Sequence, residues 1–262
     1  MIEPDRWHPD WLRPQWNVRG VAGVMTTRLG GCSVAPFDSL NLRAGIGDDP
    51  DSVARNQQVL ANAVGAMPVH LNQVHGASVR RLGHADARPR APIHTADASV
   101  TTEAGVVCAV QVADCLPVLF SAPSGRGVGA AHAGWRGLAL GVLEATLREV
   151  CDAARCEARE VQVWLGACIG PRAFEVGADV VAAFAASGQS VDAPRFVPSG
   201  PGKWLADLPL LARERLLRAG VIAISGGQWC TVSEPSRFFS YRRDRVTGRM
   251  TAAVWIEPGS GR

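Results

Sequence analysis

The chain has 262 residues, a length at which single α/β domains are common. Hydrophobic residues make up 47% and charged residues 19%, so the chain can bury a sizeable core, which excludes a disordered or low-complexity protein. The formal net charge is only +3 and no long basic run occurs, which argues against a dedicated nucleic-acid binder.

The seven cysteines are odd in number and irregularly spaced, so they do not predict a disulfide framework. The first 16 residues carry several charged side chains and no apolar run, which argues against a signal peptide. No stretch approaches the roughly 18 uncharged apolar residues of a membrane span. We therefore expect a cytoplasmic protein with reduced thiols and no membrane partner.

Hydrophobic runs bounded by turn residues predict strands that alternate with a few helices. The predicted strands cover residues 18–27, 71–74, 77–82, 106–112, 117–120, 127–131, 161–165, 221–224 and 250–256. The first predicted helix begins at a cap, Asp49 or Asp51, and runs to about Val64, where Gly65 and Pro68 end it. The other predicted helices cover residues 138–150, 176–186 and 208–219, the last ended by Gly220. Residues 83–96 predict a loop. These elements favour an α/β or α+β fold with a mixed sheet.

Three segments place a reactive side chain beside turn residues at the end of a predicted strand, where α/β proteins bind ligands. They carry His75 in NQVHG, Cys115 in ADCLP and His132 in GAAHAGWRG. Taken singly, Cys115 could be a small buried apolar residue, and His75 could bond to a backbone carbonyl. Taken together, two histidines and one cysteine match the composition of a catalytic zinc site with an open fourth position.

The same three residues also suit other chemistry. Cys115 could be a thiol nucleophile with a histidine as its base, and the spacing does not separate an attacking thiolate from a metal-bound one. Copper is less favoured than zinc, because the chain has only six histidines and no two are separated by a single residue. One copper ion with a distant methionine ligand stays open, whereas a multinuclear copper cluster does not fit.

Other polar residues near strand ends are candidates for binding an anion or a polar ligand. Arg136 lies in GWRG before a predicted helix, whose N-terminus offers free N–H groups and a partial positive charge. Arg28 in TTRLGG is a second candidate, and a surface salt bridge is an equally good expectation for either arginine. Asn41 in DSLNL could hydrogen-bond a ligand or cap a turn.

Seven long segments occur in one order from about residue 21 to the end of the chain: MTTRLGG, FDSLNL, NQVHG, ADCLPVLF, AAHAGWRG, GACIGPRAFEV and FFSYRRDRVTGRM. With these segments the sequence resembles the YfiH-like family, described both as laccase-domain or multicopper polyphenol oxidase proteins and as purine nucleoside phosphorylases. The resemblance implies an α/β fold with mixed sheets and flanking helices, of the CNF/YfiH-like type. We expect a single domain at residues 18–262 after an N-terminal extension at residues 1–17.

The resemblance also implies a zinc-dependent enzyme that phosphorolyses adenosine, inosine and methylthioadenosine and deaminates adenosine. The zinc ligands of the family fall on His75, Cys115 and His132, and its arginine motifs fall on the three residues Arg28, Arg136 and Arg172. The implied partners are a purine nucleoside and phosphate, bound by a monomer or a small homo-oligomer.

Two other functions stay open at this point. One is a Cys/His amidase or editing hydrolase acting on peptidoglycan precursors, because the resembled family has been tied to the editing of these precursors in bacteria. The family fold also resembles that of deamidating toxins with a Cys-His dyad, which keeps a thiol mechanism open. The other is a ligand-binding protein in which zinc is purely structural.

Overall fold

A computed structural model of the chain describes residues 7–16 and 18–259. Its strands are β1 (Val21–Met25), β2 (Val79–Arg81), β3 (Ala98–Thr101), β4 (Val107–Val112), β5 (Leu116–Ser121), β6 (Val128–Ala133), β7 (Gln162–Leu165), β8 (Glu175–Gly177), β9 (Phe196–Gly200), β10 (Lys203–Ala206), β11 (Ala223–Gly226) and β12 (Met250–Ile256). Its helices are α1 (Pro50–Val64), α2 (Trp135–Ala139), α3 (Val142–Ala154), α4 (Ala178–Ala186), α5 (Leu208–Arg218) and α6 (Tyr241–Asp244).

The largest sheet has six strands in the order β11-β7-β5-β6-β3-β2. Its two outer pairs, β11 with β7 and β2 with β3, are parallel, and the three inner pairings are antiparallel. The sheet is therefore mixed, as the sequence predicted. Every residue of β5 and β6 is buried, which agrees with their continuous runs of apolar and small residues.

This sheet lies between two layers. Successive side chains of a strand point to opposite faces, so Val118 and Phe120 of β5 pack with the helical residues Leu143 and Leu211, whereas Leu119 packs on the other face. That other face is covered by a three-stranded antiparallel sheet in the order β1-β12-β4. A separate three-stranded sheet, β8-β10-β9, completes the fold.

The ends of the first helix follow from local chemistry. The side chain of Asp49 accepts a hydrogen bond from the N–H of Ser52 at 2.9 Å, and Pro50 occupies the first helical turn. Gly65 ends the helix in the left-handed conformation, with a φ of 84°. Of the two predicted caps, the structure uses Asp49, and the predicted end of α1 at Val64 is confirmed.

Several predicted elements differ from the structure. The predicted helix at residues 138–150 is two helices, α2 and α3, because Gly141 adopts a left-handed φ of 91° between them. No strand forms at residues 71–74, where Asn72 makes only an isolated bridge to Thr95. Residues 175–177 form β8 rather than the start of a helix. The sequence did not predict the strands β3, β9 and β10 or the four-residue helix α6.

Residues 7–16, which the sequence reading assigned to the N-terminal extension, pack on the three-stranded β1-β12-β4 sheet. The Trp7 ring stacks on Trp255 with centroids 5.7 Å apart, and both rings are buried. The backbones of Leu12 and Met25 exchange two hydrogen bonds, of 2.9 and 2.8 Å. All seven cysteines are free thiols, and no helix in the described residues is long and apolar enough to cross a membrane.

Candidate active site and metal centre

His75, Cys115 and His132 meet at one end of the six-stranded sheet. Cys115 directly precedes β5, and His132 lies near the end of β6, opposite Pro117 in the antiparallel register. That pairing brings the first residues of β5 beside the last residues of β6. His75 lies in the loop before β2, where it has a φ of 62°, a sparsely populated conformation for a residue with a side chain.

The three side chains form a compact group of potential ligands. One nitrogen of each histidine and the Cys115 sulfur all lie within 4.8 Å of one another, and Cys115 Sγ is 3.8 Å from His75 Nε2. The two imidazole rings are 4.8 Å apart and steeply inclined. His75 is exposed and His132 is buried, so the group opens to solvent on one side only.

The buried Asp97 side chain contacts both histidine segments of this group. Its carboxylate is fully buried and accepts hydrogen bonds from the main-chain N–H groups of Val74, His75 and Gly76, at 3.2, 2.8 and 2.7 Å. Its Oδ1 also lies 2.9 Å from Nδ1 of His132. One carboxylate thus sets the strained backbone of His75 and the orientation of the His132 ring, which is how outer carboxylates support metal-ligating histidines.

The electrostatics of the group favour a thiolate. Burial alone would raise the pKa of the Cys115 thiol, but the charge of His132 and hydrogen bonds from His132 and His75 outweigh burial and lower it. Burial would likewise lower the pKa of His132, but the Cys115 thiolate and the Asp97 carboxylate outweigh burial and raise it. The pKa of Asp97 is lowered, since the hydrogen bonds from His132 and Gly76 outweigh its burial.

Gly134 leaves the space that the group needs. A Cβ atom at this position would lie 2.9 Å from Cys115 Sγ and 3.0 Å from His75 Cδ2. The backbone of Gly134 is extended, with a φ of −63° and a ψ of 160°, which any residue adopts. The glycine is therefore required by the close approach of the two ligands and not by its backbone conformation.

The group lines a cavity of about 590 Å³. Gln73, Gln111, Trp135 and Tyr241 contribute to its walls, and five arginines line it as well: Arg43, Arg136, Arg242, Arg245 and Arg249. Within the described part of the chain, no carboxylate forms an ion pair with any of these five guanidinium groups. Asp114 is the one carboxylate in the described lining, and it accepts hydrogen bonds from Thr231 Oγ1 and from the main-chain N–H of Arg242. The excess of guanidinium groups makes the cavity electropositive and suited to an anionic ligand.

The structure places one of the four predicted binding residues in this cavity. Arg136 lines it, with its guanidinium 4.3 Å from the centre of the Trp135 ring. Arg28 lies outside it, in an ion pair with Asp38 at 3.0 Å and in a hydrogen bond to the Pro235 carbonyl.

The other two predicted binding residues also lie outside the cavity. Asn41 is fully buried and bonds only to protein groups. Arg172 lines a separate cavity of about 440 Å³, together with Cys230 and Trp229.

The sequence reading missed three residues that shape the site: Asp97, Arg43 and Arg249. Asp97 directly precedes β3, whose pairing with β6 carries it to His132, and the missed strand hid that relation. Arg43 follows the DSLNL segment, and Arg249 precedes the last predicted strand. An arginine beside a strand end is a weak signal, because most arginines there make surface ion pairs.

Two imidazoles and one thiolate are a donor set that suits zinc and also accepts copper. The compact grouping, the carboxylate behind His132 and the space left by Gly134 fit a bound metal ion. These features define the class: a mixed α/β protein with a candidate metal-dependent active site in an arginine-lined cavity.

The comparisons with known proteins identify the family. Residues 22–257 match the sequence model of a family described as multi-copper polyphenol oxidoreductase laccase. A purine nucleoside phosphorylase from Pseudomonas aeruginosa is 48% identical over 249 residues, covering 94% of this chain and 98% of the relative. The purine nucleoside phosphorylase YfiH from Escherichia coli strain K12 is 49% identical over 251 residues, covering 95% and 97%.

Solved structures agree with this assignment. A Neisseria meningitidis protein that is 43% identical superposes with a TM-score of 0.87, covering 95% of this chain and 99% of that protein. YlmD from Geobacillus stearothermophilus, 34% identical, also gives a TM-score of 0.87 and covers 94% and 96%. The chain belongs to the YfiH-like, laccase-domain family, and the fold expected from the resemblance is confirmed.

Proposed function

We propose that this protein is a zinc-dependent purine nucleoside phosphorylase that also deaminates adenosine. The observation that carries the proposal is the His75, Cys115 and His132 group in a cavity lined by arginines without carboxylate partners. The names of the relatives supply the nucleoside chemistry. A cavity of about 590 Å³ is in the range that holds a small organic ligand.

Phosphorolysis requires the protein to hold two substrates in line. An oxygen of phosphate forms a bond to C1′ of the ribose while the bond from C1′ to the purine nitrogen breaks, and the electron pair of that bond leaves with the purine. The unpaired guanidinium groups of the cavity would bind the phosphate and hold it close to the sugar. Arg136, held against Trp135, is one of these groups.

His75, Cys115 and His132 would hold the zinc ion, with Asp97 keeping the His132 ring in place. Zinc in an open site of this kind supplies Lewis-acid polarisation and activates water, as deamination of adenosine to inosine and ammonia requires. The preference for zinc over copper rests on the donor set and on the small number of histidines. The seven free thiols suit a cytoplasmic enzyme.

A second candidate function is a thiol amidase acting on peptidoglycan precursors. The observation that favours it is the chain of contacts from Asp97 through His132 to Cys115, which resembles the arrangement of a nucleophile, a base and an orienting carboxylate. The same contacts serve a metal site, and the cavity rich in arginine is better explained by phosphate. We therefore rank the amidase second.

The test is product analysis by mass spectrometry. Zinc-loaded protein is incubated with adenosine, with and without phosphate, beside the Cys115→Ala variant. We expect adenine and ribose 1-phosphate only when phosphate is present, inosine in both cases, and none of these products from the variant. Unchanged adenosine in the folded, zinc-loaded protein would overturn the proposal. Cleavage of a peptidoglycan precursor by metal-free protein, blocked by alkylation of Cys115, would favour the amidase.

A further inference from the structure

Asn41 connects two arginines of the cavity. Its Oδ1 accepts hydrogen bonds from the main-chain N–H of Arg43 at 3.1 Å and from that of Arg249 at 3.0 Å. Its Nδ2 donates to the carbonyl of Arg43 and to Asp48, at 3.1 and 2.8 Å. Two residues that are 206 positions apart are thereby held side by side by one fully buried amide.

Arg43 and Arg249 line the cavity that contains the His75, Cys115 and His132 group. Nη1 of Arg249 donates to the carbonyls of Thr247 and Gly248, which orients the group. No described residue accepts a hydrogen bond from its Nε or Nη2, or from the side chain of Arg43. The remaining donors of both arginines are therefore available to a ligand.

Two like charges are held close together at this point. The pKa of Arg249 is lowered by burial and by the positive charge of Arg43, which outweigh the opposing effects of Cys115, Asp114 and Tyr241. Cys115 and Asp114 offset only part of this repulsion, so holding the two cations together costs stability, and a bound anion would reduce that cost. The buried Asn41 fixes the backbones of both arginines, and a ligand with two negative charges would balance both guanidinium groups.

We propose that Arg43 and Arg249 form the subsite for the inorganic phosphate co-substrate. This inference rests on the proposed phosphorylase function and assigns its second substrate to named residues. Phosphate at neutral pH is a mixture of the monoanion and the dianion, and it offers oxygens that paired guanidinium groups bind in a fork geometry. What distinguishes Arg43 and Arg249 from the other cavity arginines is their shared hydrogen bonds to the buried Asn41. Arg136 lies over the Trp135 ring, Arg245 and Arg249 both lie over the Tyr241 ring, and Arg242 donates to the Glu175 carbonyl.

Binding of inorganic phosphate is measured by calorimetry on the metal-loaded protein without nucleoside. We expect Arg43→Gln and Arg249→Gln each to weaken phosphate binding by about tenfold or more, because each removes charge-assisted hydrogen bonds. Arg43→Lys and Arg249→Lys retain the charge but lose the fork, so they should bind with intermediate affinity. Arg148→Gln, an exposed helical residue, is the matched control and should bind as the wild type does.

Kinetics separate a phosphate subsite from a general structural effect. In both glutamine variants the KM for phosphate should rise by about tenfold or more, while the KM for adenosine stays within about twofold. Arg172→Gln tests the competing arginine in the other cavity and should leave both constants unchanged. Thermal melting checks that each variant is folded. If a glutamine variant does not fold, the phosphate affinity and the KM for phosphate are compared in the lysine variant at the same position.

The outcomes distinguish the subsite from the proposed function. Unchanged phosphate affinity in both glutamine variants, or no phosphate binding by the wild type, would overturn the subsite. Phosphate binding that depends on the two arginines, in a protein that leaves adenosine intact, would support the subsite and overturn the phosphorylase proposal. Phosphorolysis with an unchanged KM for phosphate in the variants would support the phosphorylase proposal and overturn the subsite.

Discussion

Asp97 and His132 are joined twice. The main-chain oxygen of Asp97 accepts a hydrogen bond from the N–H of His132 at 2.7 Å, and Asp97 Oδ1 lies 2.9 Å from His132 Nδ1. When Nδ1 carries the proton and donates to the carboxylate, Nε2 is the nitrogen available to a metal ion or to a thiol. The carboxylate therefore decides which side of the ring faces the site.

Replacing Asp97 with asparagine tests this relationship. The amide keeps the volume but replaces one acceptor oxygen with an NH2 donor. If its oxygen takes the place of Oδ1, it still serves His75 and His132, but its NH2 group then faces the N–H groups of Val74 and Gly76; in the opposite orientation His132 loses its acceptor. We expect zinc affinity, measured by competition with a chelator, to fall by about 10- to 100-fold.

Asp86→Asn is the control for Asp97→Asn. Asp86 also contacts a histidine, with its Oδ1 2.7 Å from His94 Nε2, but it lies outside the cavity. The zinc affinity of the Asp86→Asn variant should match that of the wild type. Equal zinc affinity in the Asp97 variant and in this control would contradict the role assigned to Asp97.

Gly134→Ala should disturb the metal site by steric contact alone. The added Cβ would lie 2.9 Å from Cys115 Sγ and would push the sulfur or the His75 ring away. We expect zinc stoichiometry and adenosine turnover to drop while the circular dichroism spectrum stays that of the wild type. Gly200→Ala, where a Cβ meets no atom within 4 Å, should retain zinc fully. Full zinc content in Gly134→Ala would show that the ligands have more freedom than the structure indicates.

Alkylation of the metal-free protein should reveal the lowered pKa of Cys115. A lowered pKa keeps the thiolate present at pH values below the range of an ordinary thiol, whose pKa is about 8.5. As the pH falls from 8.5 to 7, the alkylation rate at Cys115 should decline less than that of a free small-molecule thiol, followed by mass spectrometry of the modified peptide.

Two comparisons make the alkylation result specific. Added zinc should protect Cys115, because the metal occupies the sulfur. Cys108 should stay unmodified throughout, because burial raises its pKa to about 12 and excludes the reagent. A pH profile at Cys115 that follows the small-molecule thiol would contradict the lowered pKa.

Asn41→Ala should destabilise the protein and weaken phosphate binding together. It leaves the N–H groups of Arg43 and Arg249 without their partner, and an unsatisfied buried polar group costs about 1–3 kcal/mol. We expect the free energy of unfolding to fall by at least this amount in a denaturant titration. Phosphate affinity should fall more than zinc affinity, since the two arginines lose their common anchor.

Asn72→Ala is the matched control for Asn41→Ala. Asn72 is exposed and its side chain donates to Thr95 Oγ1 at 3.1 Å, so its loss should change the free energy of unfolding by less than about 0.5 kcal/mol. Wild-type phosphate affinity in a folded Asn41→Ala protein would remove Asn41 from the account of the arginine pair.

The sequence by itself determined the features that depend on neighbouring residues. The ends of α1 follow from Asp49, Pro50 and Gly65, and the buried strands β4, β5 and β6 follow from continuous apolar runs between turn residues. His75, Cys115 and His132 were recognisable as candidates because each stands among small or turn residues where a predicted strand begins or ends. These signals are local, and local propensity and periodicity report them directly.

Only the tertiary structure decided which polar side chains work together. Asp97 reaches His132 across 35 positions beside the pairing of β3 with β6, and Asn41 reaches Arg249 across 208 positions from a segment outside the strands. No local sequence pattern encodes either contact. An arginine carries the same charge wherever it stands, so sequence alone could not separate Arg28, which is paired with Asp38, from Arg43, which faces the cavity. Whether a charge is neutralised by a partner or left for a ligand depends on which distant residues the fold brings beside it.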